Sequence, residues 1–126
     1  MKNLILGCFL LLASCGGDIS DSFKTGNYKL VDAAYQTPIM VRFSPDGQFS
    51  GKIVNNMMGK YKLGSNNNIS FEPIATTMMM GPDNAMKEEQ SFLQILPLVK
   101  SYKIEQGNLI LQTSDNQTLI FEPLSN

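Results

Sequence analysis

A chain of 126 residues leaves room for one domain, and its charge is nearly balanced, with ten Lys and Arg against eleven Asp and Glu for a formal net charge of −1. The cations from Lys24 to Lys103 are scattered with no basic run, so nucleic acid is not expected as a partner. There is no histidine, which removes the commonest general base and the imidazole that a Ser or Cys triad needs.

At the N-terminus Lys2 precedes an apolar run from Leu4 to Ala13. A run of about ten residues suits a signal-peptide core and is too short for a membrane span of about twenty. It ends in Leu12-Ala13-Ser14-Cys15, which resembles the bacterial lipobox. That resemblance implies that residues 1–14 are a lipoprotein signal peptide and that Cys15 is acylated and becomes the mature N-terminus. Ordinary secretion with a free Cys15 is the alternative. Cys8 would leave with the signal, so the mature chain would have one cysteine, no internal disulfide, and a stability resting on its core. Buried acyl methylenes contribute about 0.8 kcal/mol each, so the expected partner of Cys15 is the membrane itself. Gly16, where inner-membrane retention would place Asp, resembles outer-membrane sorting and leaves open whether the domain faces the periplasm or the cell surface. Residues 15–26 read as lipidated cysteine and flexible tether, averaging about 17 Å for ten residues. Residues 27–126 read as the folded domain.

From Asn27 onward, short runs of alternating character are divided by turn residues, which predicts an antiparallel meander. Strands are expected near Tyr28–Val31, Ile39–Ser44, Gln48–Val54, Gly59–Leu63, Asn68–Ile74, Ser101–Glu105, Asn108–Thr113 and Gln117–Glu122. Ser44-Pro45-Asp46-Gly47 fits a type I turn. Gly64-Ser65-Asn66-Asn67 and Gln106-Gly107 tolerate positive φ, and Ser114-Asp115-Asn116 offers local side-chain hydrogen bonds. A Tyr-Lys-aliphatic triplet recurs at Tyr28, Tyr61 and Tyr102, which on a strand points Tyr and the aliphatic residue inward and Lys outward. Ile69-Ser70-Phe71-Glu72-Pro73-Ile74 echoes Leu119-Ile120-Phe121-Glu122-Pro123-Leu124, and the differing Tyr-to-Phe spacing makes this two strands ending alike at a Pro.

Between these groups lies the one segment with helical period. Ala85, Glu89, Phe92, Leu93 and Leu96 share a face, opposite Lys87, Glu88, Gln90, Ser91 and Gln94. Asp83 or Asn84 is expected to cap the start, and Pro97 to turn Leu96 out of the helix. The span of about twelve residues, roughly 18 Å, matches a strand of five or six residues. The expected fold is therefore α+β and mostly β: an antiparallel meander curled into a small β-roll or barrel of about eight strands, with one amphipathic helix packed across it.

The order of these pieces is similar to the META domain of the heat-shock protein HslJ and its relatives. The carrying residues are Val54-Asn55-Asn56 before Gly59-Lys60-Tyr61, then Ile69-Ser70-Phe71 and Thr77-Met78-Met79-Met80-Gly81-Pro82. The helix follows with Met86-Lys87-Glu88-Glu89 and Phe92-Leu93-Gln94-Ile95-Leu96, and the last hairpin has Tyr102-Lys103-Ile104 and Leu109-Ile110-Leu111. The resemblance implies a small barrel with one helix, export to the envelope, an association with stress tolerance and no established enzymatic activity. Relatives carry cysteines where this chain has Asn55 and Gly81, and their joint loss fits a bridge in those relatives; any redox role does not carry over.

Glu89 is the foremost candidate residue, because a carboxylate on an apolar stripe is costly unless hydrogen-bonded or paired. Asn56, Tyr61, Thr77 and Tyr102 are the expected partners. The functional reading is an acid in a cleft; the structural one, favoured here, is an anchor tying helix to sheet. Met57, Met58, Met78, Met79, Met80 and Met86 cluster around the helix, with core filling as the default reading and an apolar binding patch, with Met79 a candidate, or a soft-metal site as rivals. Gly51, Gly59 and Gly64 do not space as a phosphate loop. No catalytic residue, metal or cofactor is expected. The leading expectation is a monomeric, non-catalytic outer-membrane lipoprotein that binds another envelope protein or buffers envelope stress. The rivals are a carrier of a small apolar ligand or lipid in a barrel cavity, and a hydrolase using Glu89.

Overall fold

In the computed structural model, which describes residues 23–124, turn chemistry sets the strand pairing. The expected signal peptide, Cys15 and most of the tether lie outside the described residues. Strands run at β1 (Gly26–Leu30), β2 (Met40–Phe43), β3 (Gln48–Lys52), β4 (Asn56–Leu63), β5 (Ile69–Phe71) and β6 (Ala75–Thr76). After helix α1 (Asp83–Ile95) and a 3-10 turn (Leu96–Leu98) come β7 (Val99–Glu105), β8 (Asn108–Thr113) and β9 (Thr118–Pro123). Gln106 and Gly107 both take positive φ, 53° and 85°, the hairpin geometry whose twist matches the flanking strands. Asn66 and Asn67 do the same at 59° and 60° between β4 and β5. Between β8 and β9 the Thr113 hydroxyl donates to Asp115 and accepts the Gln117 N–H, tightening the turn around Asn116.

The strands pair antiparallel in the order β5-β4-β3-β2-β1-β9-β8-β7, and β6 adds to the start of β4. The two ends of this path meet where Asn68 bridges Ser101 and the Tyr102 N–H donates to the Asn67 carbonyl at 3.0 Å, so the sheet curls into a nearly closed barrel. Closure leaves little unpaired strand edge. Alternation then sends Tyr28, Val41, Phe43, Phe49, Met57, Leu109, Leu111, Leu119 and Phe121 inside, all nearly inaccessible. The fold expected from sequence is the one observed. Two local expectations fail: Leu63, the aliphatic of the second triplet, is 47% exposed because it pairs with Ile69 beside the turn, where the barrel wall ends, and the short strand β6 was not foreseen.

Helix α1 closes one end of the barrel with Ala85, Glu89, Phe92 and the following Leu96 buried, and with Leu93 half-buried. The Phe92 ring meets Phe121 edge-on at 6.3 Å and Tyr35 at 6.4 Å. Its ends differ from expectation. Pro82 occupies the cap position in an extended conformation with no side-chain cap bond, and Asp83 is already in the first turn, where its charge favours the positive end of the helix. Leu96 stays helical, because Pro97 sits in the first turn of the 3-10 segment, a place that needs no N–H. At the other end of the barrel Phe23 packs against Phe43, Tyr61 and Tyr102 with centroids 5.2, 5.5 and 5.3 Å away. Residues 23–26 therefore belong to the barrel rather than to a tether.

A second clamp holds the helix. Both Glu88 oxygens accept backbone N–H groups from the β1–β2 loop, those of Gln36 and Thr37, each at 2.8 Å.

Phe92→Ala is expected to cost about 3–5 kcal/mol, because it empties a fully buried position in contact with Phe121 and Tyr35; denaturant unfolding of the variant measures it. The hydrogen bonds from Thr37 and Gln36 hold the Glu88 carboxyl below the usual glutamate range. A depressed folded value means that this clamp is fully stabilising above the unfolded value and is lost as the pH falls through the folded one. Amide NMR shifts of Gln36 and Thr37 should therefore titrate together with a midpoint below that of free glutamate.

Candidate functional site

The site is built where the β3–β4 turn, the segment before α1 and the helix itself meet. Glu89 is 5% exposed. One carboxylate oxygen accepts the successive backbone N–H groups of Val54, at 3.0 Å, and Asn55, at 2.6 Å; the other accepts the Asn55 side-chain amide at 2.8 Å. No Lys or Arg takes part. The charge is met by oriented N–H dipoles, an arrangement that stabilises a buried anion without the desolvation of a cation.

Asn55, itself 3% exposed, uses its whole hydrogen-bonding capacity. Its amide nitrogen donates to Glu89 and to the Met79 carbonyl, and its oxygen accepts the Thr77 hydroxyl and the Met79 N–H. Thr77 in turn accepts the Asn56 N–H, and its own N–H donates to the Asn56 carbonyl. The loop from Thr77 to Met80 is thus held by its backbone at Thr77 and Met79 and by the Thr77 hydroxyl, while the methionine side chains stay outside. Met78 is 93% exposed, Met80 92% and Met79 52%. They rim a shallow recess of about 490 Å³ whose back wall is Asn55 and Glu89 and whose floor includes Met86 and Leu93.

Of the residues expected to answer Glu89, Thr77 and Asn56 stand one step away, Asn56 through its backbone, and neither tyrosine is at the site. Tyr61 lies five residues along β4 from Asn56, about 17 Å, where its hydroxyl donates to the Ser44 carbonyl and burial holds it protonated above the usual phenol range. Tyr102 packs its ring on Phe23. The direct partner is Asn55, which the sequence marked only as a position where relatives carry cysteine. A signal was present: a second Asn at the end of a hairpin, before a strand that begins at the helix end of the barrel. Core filling, the default for the methionines, holds for Met57 alone among the fully buried ones; Met58, Met78 and Met80 are exposed. Gly81 follows the loop closely enough to Val54 that a Cβ there would sit 2.7 Å from a Val54 methyl. Asn55 and Gly81, the two positions where the resemblance implies cysteine in relatives, therefore both border this node.

Glu89 thus accepts three N–H groups, three of the roughly four hydrogen bonds that a carboxylate can take. What the arrangement can do is hold three segments in register and present methionines from a fixed backbone. Among the described residues no three His, Cys, Asp or Glu side chains come together as a metal site.

The META domain family matches residues 21–126. The chain is similar in fold to a protein from Burkholderia xenovorans solved by NMR, at 19% identity and a TM-score of 0.66, covering 86% of each chain. It is also similar to a second NMR structure, at 21% identity and a TM-score of 0.59, covering 77% of this chain and 87% of the other. A DUF4847-family protein from Bacteroides vulgatus matches at 19% identity and a TM-score of 0.54, over 70% of this chain and 60% of that one. No curated protein matches the chain.

Glu89→Gln puts an amide donor among the three N–H groups now bound to the carboxylate and leaves at least one unpaired. The expected loss is about 2–3 kcal/mol of folding stability, read by thermal or denaturant unfolding.

Proposed function

The chain belongs to the META domain family, and on that footing we propose that it is a non-catalytic envelope lipoprotein whose domain binds another envelope component. In this reading the segment ending at Cys15 directs export and acylation, the acyl group anchors the protein to the outer membrane, and the monomeric domain works a short reach from the bilayer. Supporting export and anchoring are the apolar run from Leu4 to Ala13 and the Leu12-Ala13-Ser14-Cys15 motif. A role without catalysis is supported by the lack of any histidine in the chain and by the engagement of Glu89 by three N–H donors of the fold itself.

The observation that carries the binding role is the methionine loop. Met78 and Met80 stand almost fully exposed on a backbone that Asn55 and Thr77 hold in place. Apolar side chains clustered in water on a fixed support favour a contact surface, and flexible thioethers adapt to a partner's shape. The rival reading, a ligand carried inside the barrel, gains no such support, since Phe43, Phe49, Phe92 and Phe121 fill the interior at 0–1% exposure.

A photo-crosslinking side chain placed at Met80 in cells is expected to give a discrete adduct in the chain with Cys15 intact, and to lose it with Cys15→Ala, which frees the protein from the membrane. The same probe at Lys103, on β7 toward the barrel end away from the helix, should give none. Equal labelling from both positions, or none from Met80, overturns the reading.

A further inference from the structure

The outer face of β1 to β4 sets cations beside exposed methionines. Strand register sets Met40 between Lys29 and Lys52, and sets Arg42 across Ser50 from Met58, with all six side chains on the outward side. Together with Thr77 and Leu124, residues of these strands line an open groove of about 650 Å³. Its walls carry two cations, Arg42 and Lys52, and no carboxylate, in a chain whose net charge is −1. Among the described residues the ion pairs are Lys62 with Glu72 and Lys103 with Glu105, so neither groove cation is paired with a described carboxylate. Met40 is 49% exposed and Met58 65%, which puts apolar surface directly beside the charges.

We propose that this groove binds a single-chain anionic amphiphile, with its acid head between Arg42 and Lys52 and its apolar chain along Met40 and Met58. The volume falls within the roughly 300–1,000 Å³ of small-molecule sites. The groove floor is the face of fully paired strands, with no free edge to which an extended peptide could add. Recognition must therefore come from side chains, and those present are a guanidinium fork suited to a carboxylate or phosphate, an ammonium and two adaptable thioethers. The proposal does not rest on the partner reading. Thr77 stands between the two sites, and Met78 and Met80 line the other recess.

The test uses the lipidated protein in phosphatidylcholine nanodiscs with its methionine methyls labelled with carbon-13, titrated with sodium dodecanoate. Saturable shifts are expected at Met40 and Met58, with Met78 and Met80 still. The buried Met57 methyl reports whether the fold is intact. The double variant Arg42→Gln, Lys52→Gln should weaken binding about tenfold, and dodecyltrimethylammonium, with the opposite charge, should shift neither methyl. No shift, or equal shifts at every exposed methionine, overturns the proposal. So does movement of Met40 and Met58 in phosphatidylglycerol nanodiscs before any dodecanoate is added, because the bilayer itself would then occupy the face. Loss of crosslinking at Met80 leaves this titration unchanged, so the two readings fail separately.

Discussion

A carboxylate buried without a cation is the constraint on which the architecture depends. Glu89 lies on the sealed side of α1, and leaving it unanswered would cost several kcal/mol, more than most single contacts in a domain of this size contribute. Its three N–H donors come from one turn, at Val54 and Asn55, so satisfying the charge fixes the helix to the β3–β4 turn. Asn55 then passes the constraint on, because the side chain that donates to Glu89 also grips both backbone groups of Met79. Helix, turn and methionine loop are thus joined through one hydrogen-bonded node. Glu88, the next residue back, repeats the device toward the β1–β2 loop. Adjacent carboxylates point to different sides of the helix and tie down different segments.

What the sequence showed well is what short-range physics decides. Turn residues that accept positive φ, such as Gln106-Gly107 and Asn66-Asn67, located the hairpins, and the period of Ala85, Glu89, Phe92 and Leu96 located the helix. Less legible was whatever depended on distance along the strands. Tyr61 and Tyr102 looked like partners for Glu89 because the fold brings their strands near the helix, yet a strand advances about 3.4 Å per residue and carries Tyr61 to the far end. Asn55 and Asn56 are neighbours in sequence, and only the turn geometry decides which of them aims its amide at the carboxylate. Glu88 was read as a solvent-facing residue; its role came into view only with the loop it binds, 51 or 52 positions away in the chain.

The methionines show the same limit. Strand alternation separates Met57, at 0% exposure, from Met58, at 65%, and one residue of register would have exchanged them. Met78 to Met80 lie outside any strand, so alternation never applied to them. Their exposure goes with the hydrogen bonds that the Asn55 side chain makes to both backbone groups of Met79 and to the Thr77 hydroxyl, which put polar groups on the inward side and leave the methionine side chains the outward one.

The family resemblance implies cysteines in relatives at positions 55 and 81, and the node is what stands at those positions in this chain. A bridge from position 55 to position 81 would fasten the β3–β4 turn to the segment before the helix. Here Asn55 fastens the same two segments by hydrogen bonds that reach Met79, two residues short of Gly81. The space that a side chain at 81 would need is already filled by the Val54 methyl 2.7 Å from its Cβ position. The amide and the valine act in concert, one replacing the link and the other the volume. A covalent tie constrains the unfolded chain, whereas this one acts only in the folded state and only while Glu89 keeps its partner oriented. The tie between helix, β3–β4 turn and methionine loop is thereby made to depend on a single carboxylate, which is a reason to expect Glu89 to serve architecture in this chain.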